Sequence, residues 1–161
     1  MEGFINKAAK EDLLDILNLQ KKAFESVAIG ENNFNIPPMT QTLESITEEY
    51  EKRQFLKYTL DGKIIGSVRA HLDNDNVCHI GRLIVQPEFQ NKGIGKALMK
   101  EIESIFGNCI RYEIFTGLNS KNTIALYKKL GYVETSVKDI DGVSIVFMKR
   151  DNTWRIWDLG D

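Results

Sequence analysis

Apolar residues recur along the chain in two rhythms, and the switches between them outline its elements. Phe4 to Ala8 predicts a short first strand. From Asp12 to Phe24 the positions Leu13, Leu14, Leu17 and Ala23-Phe24 fall at helical spacing. Gly30 to Met39 carries Asn32-Asn33, Asn35 and Pro37-Pro38, which break regular structure, so a loop is expected. Thr40 is expected to cap a second helix through about Lys52, with Leu43, Ile46 and Tyr50 on one face. Phe55–Leu60 and Ile64–Leu72 flank Asp61-Gly62-Lys63 and predict a hairpin, because Asp-Gly supplies the positive φ of a tight turn.

After the polar turn Asp73-Asn74-Asp75-Asn76, Val77 to Val85 predicts a third antiparallel strand in series. The rhythm then becomes helical from Gly95 to Phe106, with Ala97-Leu98, Ile102 and Ile105-Phe106 as the buried stripe. Cys109 to Phe115 predicts a strand, and Asn122 to Leu130 a helix ended by Gly131. Val133–Val137 and Ser144–Lys149 predict a closing hairpin around Asp141-Gly142. No repeat, low-complexity tract or linker interrupts this order. Residues 1–150 are therefore expected to form a single domain, with 151–161 as a C-terminal tail. Trp154 and Trp157 in that tail could anchor a partner, fold back or extend a dimer interface.

Composition narrows the class. The 161 residues suffice for a hydrophobic core without staples, and 42% hydrophobic with 27% charged residues is ordinary for a globular protein. Apolar runs such as Leu83-Ile84-Val85 are too short to span a bilayer, and Met1 to Lys7 lacks a signal-peptide pattern. Cys78 and Cys109 cannot make a disulfide framework or a four-thiolate zinc site, so a reducing cytoplasm is expected and no metal. A net charge of −2 provides no basic field for nucleic acid. A small enzyme or a binding module remains.

Chemistry enters at Leu83-Ile84-Val85-Gln86-Pro87-Glu88-Phe89-Gln90-Asn91-Lys92-Gly93-Ile94-Gly95-Lys96, where a strand ends and a helix begins on glycines. Glycines permit close backbone approach, and free N–H groups at a helix start attract phosphate oxygens. A tight strand–helix turn without any ligand would use the same residues. A P-loop is excluded because Gln90 and Ala97 occupy its first and last positions. A dinucleotide fingerprint is excluded because Leu98 stands where its third glycine belongs. Bulk at Gly93 or Gly95 is expected to block ligand approach while leaving the fold largely intact.

Val85-x-Pro87-x-x-Gln90-x-x-Gly93-x-Gly95 resembles the acetyl-CoA pyrophosphate loop of the GCN5-related N-acetyltransferase superfamily. Ile124-Ala125-Leu126-Tyr127-Lys128-Lys129-Leu130-Gly131-Tyr132 is similar to its second signature, and the element order agrees over roughly residues 4–149. Many relatives carry Asn and Ala where this chain has Ser120 and Thr123, with Asn119 and Asn122 close by. The resemblance implies an α/β (α+β) fold. Its central sheet would be mixed but mostly antiparallel, with about six to seven strands, splayed parallel fourth and fifth strands, and about four flanking helices. It implies that acetyl-CoA contacts Leu83, Ile84, Val85, Gln90, Asn91, Lys92, Gly93, Ile94, Gly95, Lys96, Ser120, Asn122 and Tyr127.

The expected activity is acetyl transfer to a primary amine of a small molecule or peptide, by direct attack in a ternary complex. An alternative is a coenzyme A-binding sensor without turnover. The amine must be deprotonated, since an alkyl ammonium of pKa near 10.4 is only about 0.04% free base at pH 7. His79, expected in phase with Gly81, Leu83 and Val85, is one candidate base, against a passive strand residue, and Glu113 another, against a solvated or salt-bridged strand residue. Tyr127 is the candidate acid for the departing thiolate, against a packing role alone. Cys78 and Cys109 sit in apolar strand patterns and are poor candidates for a covalent relay. Phe34, Pro37, Pro38 and Met39 could line the acceptor side, with Glu25 or Glu31 holding an ammonium, or form a solvated loop. A homodimer is compatible with the sequence; the acceptor is not named by any residue.

Overall fold

Residues 2–152 are described by a computed structural model. In chain order the elements are β1 (Gly3–Lys7), α1 (Leu13–Gly30), α2 (Pro37–Thr40), α3 (Leu43–Lys52), β2 (Gln54–Leu60), β3 (Lys63–Leu72), β4 (Val77–Val85), α4 (Ile94–Ile105), β5 (Arg111–Gly117), α5 (Lys121–Lys129), β6 (Val133–Ile140) and β7 (Val143–Asp151). The strands form one sheet in the order β1-β2-β3-β4-β5-β7-β6. Every neighbouring pair is antiparallel except β4 and β5. The expected mixed sheet with parallel fourth and fifth strands is therefore present. Among the described residues no helix is long and apolar enough to cross a membrane.

Alternation along the strands divides the core between two faces. Val68, Ala70, Cys78, Ile80, Tyr112 and Ile114 pack against Leu98, Met99 and Ile102 of α4 and against Tyr127 of α5. On the other face Phe55 and Ile84 meet Leu13, Ile16 and Leu17 of α1 and Ile46 of α3. A third cluster joins Ala28 of α1 and Ile36 to Val143 of β7, so the acceptor-side segment bridges to the C-terminal hairpin. This contact explains why α1 runs on to Gly30: the apolar face continues through Val27 and Ala28 beyond the expected end at Phe24.

Two local expectations change. Pro37-Pro38 does not hold a loop but opens the short helix α2, with Pro at its first positions where no N–H is needed. Thr40 belongs to that helix, and Thr42 caps α3 instead, its Oγ1 accepting from Ser45 N–H at 3.1 Å. Trp154 and Trp157 lie outside the described residues.

A buried polar knot pins β7 to α4. Glu103, 7% exposed, accepts from Tyr132 Oη at 2.7 Å and faces Arg150 Nη1 at 3.1 Å. The same Nη1 donates to the Leu130 carbonyl at 2.9 Å, closing the end of α5. Arg150→Ala would strand the Glu103 carboxylate with only Tyr132. The expected loss is about 2–3 kcal/mol in urea unfolding, below the ~3–5 of a wholly buried pair because Arg150 is partly exposed.

Candidate active site

Parallel pairing between β4 and β5 is short. It joins Val77 with Arg111, Cys78 with Tyr112 and His79 with Glu113, and then the strands part. Beyond that point β4 continues on β3 alone, through Ile84–Ser67 and Val85–Gly66, while β5 continues on β7 alone to Gly117–Ile145. Among the described residues the facing edges of both strands are thus without ladder partners from Ile80 and Ile114 onward. A cleft between splayed parallel strands offers unpaired N–H and C=O groups to an extended, amide-bearing ligand, which can pair there like an inserted strand.

At the wide end of this cleft the chain turns into α4. Asn91 and Gly93 take positive φ, 61° and 86°, and Gly93 is the N-cap of the helix. The first helical bond runs from Ala97 N–H to Gly93 C=O at 3.0 Å, which leaves the N–H groups of Ile94, Gly95 and Lys96 free of helical acceptors. Among the described residues no side chain caps them, and no acidic residue stands in the first turn. Lys92 and Lys96 add positive charge, and Lys92 rests over the Phe89 ring at 5.7 Å. Gln90 folds its amide back to the Val85 carbonyl at 3.0 Å, fixing the loop to the end of β4. Free N–H groups and positive charge at this end of the cleft suit an anion.

Gly95 has a second duty. A Cβ there would stand 3.3 Å from Leu126 Cδ2 and 3.6 Å from Leu83 Cδ2, so α4 closes on α5 and β4 only because the side chain is missing. Bulk at Gly95 is therefore not neutral to the fold, contrary to the sequence expectation. No described residue lies within 4 Å of a Cβ on Gly93, where the constraint is the positive φ.

Tyr127 is 5% exposed, and its ring packs on Tyr132 with centroids 5.9 Å apart. Its hydroxyl makes no hydrogen bond among the described residues, and burial alone pushes its pKa well above the ordinary tyrosine value. The proton is held, as a donor to a departing thiolate requires. Ser120 is the N-cap of α5 without a side-chain bond, and Asn122 lies exposed in the first turn. Asn119 donates to Glu31 Oε1 at 2.9 Å, which ties the end of α1 to the β5–α5 loop. The contact occupies one oxygen of Glu31. Phe34 is exposed, whereas Pro38 is buried with its carbonyl bonded by Gln20 Nε2 at 2.9 Å.

His79 and Glu113 are register partners and line one groove of about 560 Å³ with Phe115 and Phe147. His79 Nε2 meets Asp73 Oδ2 at 2.7 Å, and its ring stacks on His71 at 5.0 Å. Asp73 is itself fixed, its Oδ1 accepting from Asp75 and Val77 N–H. The His79 bond holds the Asp73 carboxyl at about 2, below its ordinary 3.8. Its contribution to stability is complete above pH 3.8 and is lost as the pH falls through about 2. Glu113 is paired with Arg111 Nε at 2.7 Å, the salt-bridged alternative for that residue. Burial pushes both cysteine thiols upward, so neither supplies a thiolate.

The expected phase of β4 fails. Arg69 pairs with Gly81 but Ser67 pairs with Ile84, so one extra residue is inserted between Gly81 and Ile84, and Arg82 takes φ 50°. This bulge reverses the alternation. His79 shares the α1/α3 face with Ile84, while Leu83 and Val85 pack on the α4/α5 face with Tyr127. Asp73 and Arg82 were missed in the sequence. Asp73 sat in a run that reads simply as a polar turn, and Arg82 was the one signal available, a lone charge inside the apolar run Ile80 to Val85.

The family model for the acetyltransferase (GNAT) family matches residues 13–132. The chain belongs to that family. It is 29% identical over 132 residues to the UPF0157 protein YqkA of Bacillus subtilis, covering 80% of this chain and 37% of that protein. It is 27% identical over 141 residues to the uncharacterised N-acetyltransferase MJ1207 of Methanocaldococcus jannaschii, covering 83% of this chain and 62% of the relative. The chain thus spans less than two thirds of these relatives. Among solved structures, the PaiA N-acetyltransferase of Thermoplasma acidophilum in complex with coenzyme A superposes with a TM-score of 0.80 at 22% identity, covering 94% of this chain and 99% of that one. The ribosomal-protein-S18-alanine N-acetyltransferase of Escherichia coli gives 0.76 at 17% identity, covering 93% and 94%. These structures establish the GNAT fold for the chain, and acetyl-CoA is the family's co-substrate.

Proposed function

We propose that this GNAT-family chain transfers the acetyl group of acetyl-CoA to a primary amine by direct attack within a ternary complex. The observation that carries the reading is the opening of β4 from β5 on the strand that leads into the free N–H groups of α4. Pyrophosphate oxygens fit the Gly93–Lys96 backbone, and the pantetheine amides fit the unpaired edge of β4. The Leu83 N–H then polarises the thioester carbonyl.

Transfer follows from groups on both faces of the sheet. The amine lone pair attacks the carbonyl carbon from the α1/α3 face. Its proton passes along a chain of water molecules to His79, which lies four residues before Leu83 on β4 and is oriented by Asp73. Collapse of the tetrahedral intermediate breaks the C–S bond, and the sulfur takes the Tyr127 proton from the α4/α5 face. Products are the N-acetyl amine and coenzyme A. The fold alone does not choose the acceptor, since structures sharing it are named for spermidine and for ribosomal-protein alanine.

Incubation with acetyl-CoA and a panel of amines tests the activity, with thiol release and acetylated product measured together. Equal amounts of both, dependent on the amine, are expected. Amine-independent thiol release, or tight acetyl-CoA binding with none, would favour hydrolysis or a sensor. His79→Ala is expected to reduce turnover most on the acidic side of the pH–rate profile, where free amine is scarcest, with acetyl-CoA affinity little changed. A profile unchanged in shape and height would remove His79 from the mechanism; Glu113→Gln in parallel tests the rival base.

A further inference from the structure

Among the described residues Arg82 stands without a partner, beside Arg53 and Arg69, which both pair with Glu49. Its Nε is enclosed and makes no hydrogen bond, and no ion pair joins it among the described residues. Glu49 of α3 is the carboxylate facing it, and that carboxylate is already divided. Glu49 Oε2 takes Arg69 Nη2 at 2.9 Å and Gln41 Nε2 at 2.6 Å, while Oε1 faces Arg53 Nη1 at 3.5 Å. Three guanidinium groups thus converge on one carboxylate, with His71 beside them. A half-buried cation lacking a counter-ion is costly, and here the backbone adds to the cost, because φ 50° is strained for a non-glycine residue. Both costs fall on the residue next to Leu83, on the face from which the acceptor approaches. Strain and an unpaired charge at such a position point to a ligand that supplies the missing anion.

We propose that Arg82 anchors a carboxylate carried by the acceptor, which makes the acceptor a small amino acid-like molecule and disfavours neutral amines and polycations. This rests on the acetyltransferase reading above. The carboxylate would dock on the guanidinium, with the excess positive charge of Arg53 and Arg69 behind it, and the amine would be left facing the thioester carbonyl at Leu83. A polyamine would bring a second positive charge into the same surroundings and be repelled.

The test compares a set of amino acids with their own amides as acceptors, with spermidine and phosphoethanolamine as further arms. A charge-assisted bond to a carboxylate is worth about 1.5–3 kcal/mol, so each accepted acid should exceed its amide by about 10–100-fold in kcat/KM. Arg82→Gln should erase that gap through the KM of the acid, the loss for acids exceeding that for amides by at least about tenfold. Arg82→Lys should recover part of it, and thermal unfolding of both variants checks that they fold. Binding of N-acetyl amino acids and N-acetyl amino amides in the presence of coenzyme A gives a readout free of turnover. Acids binding no tighter than amides, a preference that survives Arg82→Gln, or spermidine or phosphoethanolamine as the best acceptor would overturn the assignment. Failure of every amine to release thiol would instead strike the acetyltransferase reading, and the binding comparison would still decide Arg82.

Discussion

Tyr127→Phe is expected to lower kcat by about 10²–10⁴-fold, the usual contribution of a positioned acid, while leaving acetyl-CoA affinity nearly unchanged. The argument is geometric. The ring is held by its packing on Tyr132 and the core of the α4/α5 face, and phenylalanine preserves that packing. The hydroxyl makes no bond to any described residue, so its removal breaks no network and leaves no buried orphan. It is the proton alone that is lost. Steady-state kinetics separates the outcomes. A fall in affinity with kcat preserved would make the hydroxyl a ground-state contact, and unchanged values of both would mean that the thiolate leaves unaided.

Gly93→Val is the second large effect, expected to weaken acetyl-CoA binding by about 10–100-fold. Valine is a poor fit at φ 86°, a left-handed conformation that costs L residues roughly 1–2 kcal/mol and β-branched ones more. No described residue lies near the missing Cβ, so the response is a change of loop conformation that withdraws N–H groups from the pyrophosphate, not a packing clash. Gly95→Val should weaken binding too, but with a lower unfolding midpoint, because its side chain would drive α5 and Leu83 away. Calorimetry alongside denaturation distinguishes the two glycines. Unchanged affinity in folded Gly93→Val would remove the loop from the cofactor site.

What was legible in the sequence were features written in periodicity and glycine. The strand limits Val77 and Val85 fall where the alternation begins and ends, and the Gly93-x-Gly95 turn marks the start of α4. The segment after Pro37-Pro38 was harder, because Thr40 and Thr42 are equally good caps, and Thr40 joins α2, where Ile36 and Met39 pack with Val143. The bulge at Arg82 was not legible. Strict period-two alternation groups His79 with Leu83 and Val85, but the single inserted residue reverses it, and His79 lies on the opposite face. The pairing of His79 with Asp73 was hidden as well. It depends on the β3–β4 turn folding back along the strand, which a local reading of Asp73-Asn74-Asp75-Asn76 as a turn does not reveal.

A crystal structure of the protein with coenzyme A bound tests the central claim most directly. The account predicts pyrophosphate oxygens on the N–H groups of Gly93 to Lys96, pantetheine lying between β4 and β5, and sulfur beside the Tyr127 hydroxyl. Coenzyme A bound elsewhere on the chain, or β4 and β5 zipped together past His79 and Glu113 with the ligand excluded, would contradict it.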